Sequence, residues 1–260
     1  MLYPRIIPCL LVHEKGLVKT VKFKDPKYVG DPINAVRIFN EKEVDELMVI
    51  DIDATTNGQE PDYTMIRNLA SECRMPLCYG GGIKTVEQAQ YIFSLGVEKI
   101  AISSSALENP SIITEIAERV GNQSVIVVLD VKKKFISSKY EVYTHNGKKN
   151  TCIDAVEFAQ KCEKLGAGEI IINSIEYDGT MKGYDLTIID KIRSTITIPI
   201  TVLGGAGTLD DLGGIVAKHG IIGVAAGSLF VFKGKYRAVL INYPNSKEKK
   251  DFFDRYFKVN

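Results

Sequence analysis

Two glycine clusters are the segments of this sequence best suited to bind an anion. Residues 80–82 follow one short apolar run and residues 204–207 follow another, and the second cluster begins 124 residues after the first. Backbone N–H groups at glycines can approach an oxyanion closely, and the start of a following helix adds a partial positive charge. Two clusters at equivalent places therefore predict a ligand with a phosphate at each end. The alternative is that these glycines only permit tight turns between strands and helices.

Asp130 is the carboxylate best placed for proton transfer. It directly follows the apolar run 125–129, and a carboxylate at the end of a buried strand can act as a general acid or base. Its alternative role is to cap a loop. When residues 6–12 are aligned with residues 125–131, Leu11 stands where Asp130 stands, so the sequence lacks the second carboxylate of a symmetric two-acid site. Other polar side chains near the ends of apolar runs are Asp51, Asp53, Asn173, Ser174 and Asp178.

Four charged residues of balanced sign stand at the starts of apolar runs. They are Arg5, Glu46, Lys99 and Glu169. In a closed barrel they would gather at the N-terminal face, where the two cations and two anions could neutralise one another. Buried charges persist only when they are paired, so the set predicts a salt-bridged plug across the barrel axis. Taken singly, each residue would be an ordinary charge at the rim.

The elements that would position these residues alternate regularly. Apolar runs rich in Ile and Val are typical of parallel strands that are covered on both faces. Stretches with helical periodicity separate most of them, and the two halves of the chain are similar. The pattern predicts an α/β fold, a closed (β/α)8 TIM barrel with a half-barrel internal repeat, formed by residues 1–260 as one domain. The runs are 5–12, 47–54, 75–80, 99–104, 125–131, 169–175, 199–204 and 221–228.

Three segments fit no simple strand–helix unit. Residues 16–30 are predicted to form a long polar loop, which at that length is expected to be functional or mobile. Residues 135–150 are predicted to form a small hairpin, because Asn146 and Gly147 favour a tight turn. The last twenty residues are charged and aromatic, and their pattern does not place the final helix.

The bulk composition excludes several classes of protein. The formal net charge is +1, so nucleic-acid binding is not expected as a main function. The five cysteines form no CxxC pair, and we expect reduced thiols in a cytoplasmic protein without a secretory leader. No apolar stretch approaches the roughly 20 residues of a membrane helix, so we expect no membrane association. We expect neither a metal ion nor an organic cofactor.

In its motifs the sequence resembles the cyclase subunit of imidazole glycerol phosphate synthase. The resemblance covers roughly residues 1 to 232, in order, and is carried by residues 5–10, 30–32, 45–47, 80–83, 108–111, 146–151, 166–170, 178–180 and 204–207. It implies a (β/α)8 barrel of the ribulose-phosphate-binding type. It also implies a glutaminase (amidotransferase) subunit at the N-terminal barrel face, whose ammonia passes through the barrel lumen to a phosphorylated small molecule at the other end.

The resemblance also implies roles for individual residues. Asp130 matches one of the family's two catalytic aspartates, and Lys19 falls where the family has a substrate-sensing lysine on a mobile loop. The gate on the ammonia path matches Arg5, Glu46, Lys99 and Glu169. One phosphate site matches Gly82, Ser103 and Ser104, and the other matches Gly179, Gly205, Gly227 and Ser228.

Two departures from the family pattern bear on function. The family usually has Asn where this chain has Ser103, and Leu11 replaces the other catalytic aspartate. General acid–base groups supply about 10²- to 10⁴-fold in rate, so this loss favours a paralogue. Such a paralogue would conduct ammonia to a different acceptor, a sugar amidated in surface-polysaccharide synthesis, with a third, amidating enzyme.

Two alternatives remain open. In one, the chain is an authentic cyclase of histidine biosynthesis in which Asp51, Asp53 or His13 replaces the missing carboxylate. In the other, it is a scaffold that binds no ligand. Binding of a bisphosphate would distinguish that scaffold from the other two hypotheses.

Overall fold

The computed structural model describes residues 3–135 and 137–257. Within them, the strands are β1 (Arg5–His13), β2 (Gly16–Val21), β3 (Lys24–Gly30), β4 (Leu47–Asp51), β5 (Leu77–Gly80), β6 (Lys99–Ile102), β7 (Val125–Lys133), β8 (Tyr140–Thr144), β9 (Lys149–Asp154), β10 (Glu169–Ser174), β11 (Ile200–Leu203), β12 (Gly223–Ala226), β13 (Phe232–Lys233) and β14 (Ala238–Val239). The helices are α1 (Pro32–Glu41), α2 (Tyr63–Glu72), α3 (Val86–Ser94), α4 (Ser104–Glu108), α5 (Ser111–Val120), α6 (Ala155–Lys164), α7 (Leu186–Arg193), α8 (Leu209–His219), α9 (Ser228–Val231) and α10 (Ser246–Tyr256). A short 3₁₀ helix spans Asn122–Ser124.

Eight parallel strands close into a barrel. Their order around it is β1, β4, β5, β6, β7, β10, β11 and β12, and β12 pairs with β1 to complete the circle. Each strand lies where the sequence predicts an apolar run, so the prediction of a (β/α)8 barrel is confirmed. The continuous apolar character of the runs follows from this arrangement, because each strand has one face toward the helices and the other toward the lumen.

The half-barrel repeat is visible in matching local structures. Helix α3 begins with a capping box at Thr85, and α8 begins with a capping box at Thr208. In each box the threonine side chain accepts a hydrogen bond from the third helical residue, whose side chain accepts one from the backbone of the cap. Strands β5 and β11, which precede these helices, end at the two glycine clusters. Equivalent strand–turn–helix units thus carry both clusters.

The segment 16–30 is not a loop, and the prediction of a long polar loop is wrong. Strands β2 and β3 form an antiparallel hairpin that pairs with the extended end of β1. Its turns use Glu14, Lys15, Lys22 and Phe23 at positive φ values of 47°, 63°, 54° and 61°. Two-residue hairpin turns of this hand favour Asn or Gly, so these residues gave no turn signal in the sequence.

The other irregular segments lie around the same end of the barrel. The predicted hairpin after the fifth barrel strand is present as β8 and β9, with a turn at 145–148, although its strands extend to Asp154. A further hairpin, β13–β14, follows α9. The sequence did not place the final helix, which is α10 and packs on α8. Among the described residues, no helix is both long and apolar enough to span a membrane.

The lumen is lined by alternate residues of the eight strands. These residues form a small apolar cluster, separate from the larger core between the strands and the helices. Its buried members are Ile7, Cys9, Met48, Cys78, Ala101, Ile126, Ile171 and Ala225, with Leu11, Ile50, Val128 and Leu203 packed against them. The interior of the barrel is therefore a narrow apolar column with polar groups at its two ends.

Candidate functional site

A cavity opens at the C-terminal end of the barrel, where the carboxyl ends of the strands meet. It is lined by every residue that the sequence assigned to catalysis or to phosphate binding: Asp130, Lys19, Gly82, Ser103, Ser104, Gly179, Gly205, Gly227 and Ser228. Leu11, Asp51, Asn173 and Asp178 line the same cavity. In (β/α)8 barrels, reacting residues lie at this face because the loops after the strands converge there.

Asp130 lies at the mouth and is held by Asn173. The Asn173 side-chain amide donates a hydrogen bond of 2.8 Å to Asp130 Oδ1. Burial raises the pKa of Asp130 to about 7, and the negative charge of Asp178 also raises it, while the bond from Asn173 opposes the shift. A carboxyl group with this pKa can exchange a proton near neutral pH, which suits general acid–base chemistry.

Two buried polar atoms of the residues that line this cavity make no hydrogen bond within the described part of the chain. Asn173 Oδ1 and Ser103 Oγ are buried, and neither has a hydrogen-bond partner among the described residues. Buried polar groups normally find partners, so these atoms are available to a polar ligand in the cavity. The sequence placed Asn173 at a strand end but did not predict its bond to Asp130, which depends on the pairing of β7 with β10.

Leu11 presents an apolar side chain to the same cavity. It packs with Ile50, Val128 and Leu203 in the uppermost apolar layer of the lumen. This side chain can neither donate nor accept a proton, so position 11 supplies no group for proton transfer.

Of the three candidates to replace that carboxylate, only Asp51 lines the cavity. Burial raises the pKa of Asp51, and its Oδ1 accepts hydrogen bonds from the backbone N–H groups of Asp53 and Ala54 at 2.8 and 3.1 Å. Asp53 instead contacts His13 Nδ1 at 2.7 Å and accepts a bond from the backbone of Glu14. The carboxylates of Asp51 and Asp53 are thus already engaged in hydrogen bonds with nearby backbone N–H groups.

Lys19 is carried into the cavity by the β2–β3 hairpin. Its side chain is buried, and Nζ donates to the backbone oxygen of Cys9 at 2.5 Å. Burial lowers the pKa of Lys19, against the opposing influence of Cys9 and Asp178. The hairpin is fastened by Asp178, which accepts bonds from the Thr20 hydroxyl at 2.7 Å and from the backbone of Phe23 at 3.2 Å.

Close backbone approach explains two of the predicted phosphate-site glycines. A Cβ added to Gly179 would lie 2.0 Å from the backbone oxygen of Thr20, and one added to Gly205 would lie 2.0 Å from the backbone oxygen of Gly183. Both glycines also have positive φ values, 65° and 117°. Glycine is therefore required at both positions by the surrounding backbone, whether or not a phosphate binds there.

At the opposite end of the barrel, the four charged residues form one network. Arg5 contacts both Glu46 and Glu169, the latter at 2.7 Å. Lys99 Nζ lies 2.8 Å from Glu46 and 3.3 Å from Glu169. The two carboxylates are buried, whereas the cations are partly exposed at the N-terminal face. Paired charges of this kind are costly to separate.

Thr201 is a member of this network that the sequence analysis missed. Its hydroxyl donates to Glu169 and lies 3.4 Å from an Arg5 nitrogen. Burial alone would raise the pKa of Glu169, but the charges of Arg5 and Lys99 outweigh it, so this pKa lies below its ordinary value. The only available signal for Thr201 was its place two residues before Leu203, on the lumen side of β11.

The network lies directly beneath the floor of the cavity. Along β4, Met48 follows Glu46 by two residues, and along β6, Ala101 follows Lys99 by two residues. Met48 and Ala101 both line the cavity. At about 3.3 Å per residue, roughly 7 Å of strand separates the charged ring from the cavity lining. Among the described residues, no group of three or more His, Cys, Asp or Glu could hold a metal ion.

Comparison with known proteins identifies the family. The sequence profile described as "Histidine biosynthesis protein" matches residues 5–237, which is most of the chain. The chain belongs to the histidine biosynthesis protein family. Members of this family are (β/α)8 barrels, in agreement with the fold described above.

Relatives within the histidine biosynthesis protein family support the resemblance to imidazole glycerol phosphate synthase. A Vibrio vulnificus protein, provisionally named imidazole glycerol phosphate synthase subunit hisF3, is 60% identical over 250 residues, which cover 96% of each chain. A Pseudomonas aeruginosa protein, provisionally named subunit hisF2, is 53% identical and covers 94% of this chain and 97% of its own. The imidazole glycerol phosphate synthase subunit HisF of Clostridium botulinum is 40% identical, over 90% of this chain and 92% of its own.

Proposed function

We propose that the chain is the cyclase-type subunit of a glutamine amidotransferase complex and that it no longer closes the imidazole ring itself. A glutaminase partner binds at the N-terminal face, and its ammonia enters through the ring of Arg5, Glu46, Lys99 and Glu169. The ammonia then reaches the phosphate-binding cavity and passes on to a different acceptor, a sugar amidated in surface-polysaccharide synthesis. The presence of Leu11 in a cavity that is also lined by Asp130 and by residues of both glycine clusters carries this proposal.

The character of the lumen supports transport of ammonia. Above the charged ring, the lumen is lined by apolar side chains such as Ile7, Ile126 and Ile171. An apolar passage favours neutral ammonia over ammonium, because moving an unpaired charge into it is costly. It also excludes competing polar solutes. The ring itself would control the entry of ammonia, which would pass when one of the ion pairs opens.

The two ends of the cavity suit a doubly charged ligand. Ser103 and Ser104 follow β6 beside Gly82, and Gly227 and Ser228 follow β12. Hydroxyl groups and backbone N–H groups at these turns can donate hydrogen bonds to phosphate oxygens. Lys19 adds an amino group next to Gly227, where a Cβ would lie 2.5 Å from Nζ.

Similarity among the relatives also favours a divergent role. The relatives whose names carry the numbers 3 and 2 are 60% and 53% identical to this chain, whereas the HisF subunit of C. botulinum is 40% identical. This difference supports a lineage distinct from that subunit. The alternative, an authentic cyclase of histidine biosynthesis, would use Asp51, because it is the one of the three candidates Asp51, Asp53 and His13 that lines the cavity.

The deciding assay combines the purified chain, an ammonium salt and the ribulosyl imidazole-carboxamide substrate at high pH. We expect turnover at least 100-fold below that of an authentic cyclase, since one of two proton-transfer groups is missing. Turnover within tenfold of an authentic cyclase would contradict the paralogue and favour Asp51 as the second acid. An Asp51→Asn variant would then abolish it.

Entry at the N-terminal face needs a separate test with the glutaminase subunit present. We expect Lys99→Ala and Glu46→Ala to change the fraction of glutamine-derived ammonia that leaks into solution. Unchanged leakage in both variants would count against a gate at this ring. Binding of ribulose bisphosphate, measured by isothermal titration, tests the cavity independently, because a scaffold would bind none.

A further inference from the structure

Three hairpin segments lie at the C-terminal end of the barrel beside the cavity, and we call them the mouth rim. They comprise residues 16–30, residues 132–135 and 137–150, and residues 232–240. The first two follow the carboxyl ends of β1 and β7, and the third follows α9, the short helix after β12, so all three lie at the C-terminal end of the barrel. Lys19 points into the cavity from the first segment, and most of the other residues of the rim do not line the cavity.

The first segment contacts each of the other two. Phe23, at the tip of the first hairpin, lies against Gly147 in the turn of the second, where a Cβ would be 3.2 Å from the phenyl ring. Lys27 of the first hairpin lies over the Phe232 ring of the third, with Nζ 5.3 Å from the centroid. Arg237 of the third segment donates to the backbone oxygen of Gly179 at 2.9 Å. The rim is therefore one continuous surface.

This surface is strongly basic although the whole chain is nearly neutral. The three segments hold 13 of the 33 Lys and Arg residues but 2 of the 32 Asp and Glu residues. Their formal charge is +11, so the rest of the chain carries −10. Such segregation of charge creates a field that attracts an acidic surface and repels a second copy of the same rim.

The rim also exposes large apolar side chains. Of the eleven exposed large hydrophobic residues in the described part of the chain, six lie on the rim: Val21, Tyr28, Phe135, Tyr236, Val239 and Leu240. Tyr236 is 90% exposed and Tyr28 is 65% exposed. Aromatic residues next to Arg and Lys are typical of protein interfaces, whereas steering of a small anion would need the charges alone.

We propose that the mouth rim is the docking surface for the enzyme that carries the ammonia acceptor, and that this partner presents an acidic face. This inference rests on the proposed function. Because Leu11 removes one proton-transfer group from the cavity, ammonia must leave through the mouth to react elsewhere. A partner seated on the rim would continue the closed passage and prevent the ammonia from being lost to solvent.

The test is site-specific photocross-linking in the organism that makes the chain. The cross-linking amino acid p-benzoylphenylalanine is placed at position 236 or 28, and at the exposed position 91 on α3 as a control. The captured protein is identified, purified and titrated against the full chain at several salt concentrations. A variant with Lys133→Glu, Lys233→Glu and Lys235→Glu is compared with one that has the same charge change on α5 and α6, Arg119→Glu, Lys161→Glu and Lys164→Glu.

We expect one protein to be captured from positions 236 and 28 and not from position 91. Its affinity should fall with added salt and should fall at least tenfold in the rim variant, mainly through slower association, but not in the α5–α6 variant. Capture of a second copy of this chain, of the glutaminase or of nothing would overturn the inference. So would salt-sensitive binding of the rim to anionic phospholipid vesicles or to nucleic acid in place of a protein.

The same preparations separate this inference from the proposed function. Coupling of the glutaminase to ammonia entry is measured for the rim variant, which leaves the N-terminal face unchanged. If the glutaminase is still coupled to ammonia entry but no partner binds the rim, the inference about the docking surface is wrong and the proposed function stands. If the glutaminase is not coupled to ammonia entry in the unmodified chain, the proposed function itself is wrong.

Discussion

Leu11 and Asp130 stand on opposite sides of the barrel mouth. Strand β1, which carries Leu11, and strand β7, which carries Asp130, are separated by three strands in either direction around the closed sheet. Both side chains line the same cavity. The two strands thus carry different groups at this level of the barrel, an apolar side chain on β1 and, on β7, a carboxyl group whose pKa burial raises to about 7.

Restoring the missing carboxylate should restore ring closure. We expect Leu11→Asp to raise ammonia-dependent cyclase turnover at least 100-fold over the unmodified chain, because a second proton-transfer group would then face Asp130. Leu11→Asn is the matched control, since it adds polarity of similar size without a titratable proton. Steady-state kinetics with the ribulosyl substrate provide the measurement. Equal turnover in the two variants would count against proton transfer by a carboxylate at position 11.

The buried carboxyl of Asp130 should make the protein less stable at high pH. Its pKa is raised from 3.8 to about 7, so the folded protein holds more protons than the unfolded chain between these values. Stability contributed by this residue therefore falls as the pH rises through that range. We expect Asp130→Asn to increase the free energy of unfolding at pH 8 by about 1–3 kcal/mol, and by less at pH 5. Urea unfolding at both pH values tests this, and a pH-independent difference would refute it.

The close approach at Gly205 should make a small substitution there costly. In Gly205→Ala the new methyl group would meet the backbone oxygen of Gly183, and the φ of 117° is unfavourable for alanine. We expect a loss of about 2–4 kcal/mol in the free energy of unfolding. In Gly214→Ala, on α8, nothing lies within 4 Å of the added Cβ, and a gain of about 0.5–1 kcal/mol is expected. Chemical denaturation compares the pair, and equal effects would contradict the geometry.

Removal of one cation from the N-terminal ring should destabilise the fold more than removal of a surface cation. Lys99→Met leaves Glu46 and Glu169 with Arg5 alone, and we expect a loss of about 3 kcal/mol. Arg37→Met breaks an exposed pair with Glu72 at 2.7 Å and should cost less than about 1 kcal/mol. Unfolding curves at low and high salt provide the measurement. Losses of similar size in both variants would show that the ring is not energetically coupled.

Local patterns in the sequence were sufficient for the barrel framework and for the positions of most site residues. Continuous apolar runs indicate strands that are buried on both faces. The residue that follows a parallel strand is necessarily at the carboxyl edge of the sheet. Asp130, Ser103 and both glycine clusters could therefore be assigned to the mouth before any contact was known. The same logic assigned Arg5 and Glu169 to the opposite face.

Only the tertiary structure decided how these residues meet. Barrel closure joins Arg5 to Glu169, 164 positions away in the chain, and pairing of β7 with β10 brings Asn173 to Asp130. The pKa of Asp130 depends on burial by several strands together, so no local pattern could set it. The sequence failed to predict the β2–β3 hairpin for a different reason. Its turns place Lys22 and Phe23 in a left-handed conformation that their side chains disfavour, and contacts with Asp178 and Gly147 hold them there.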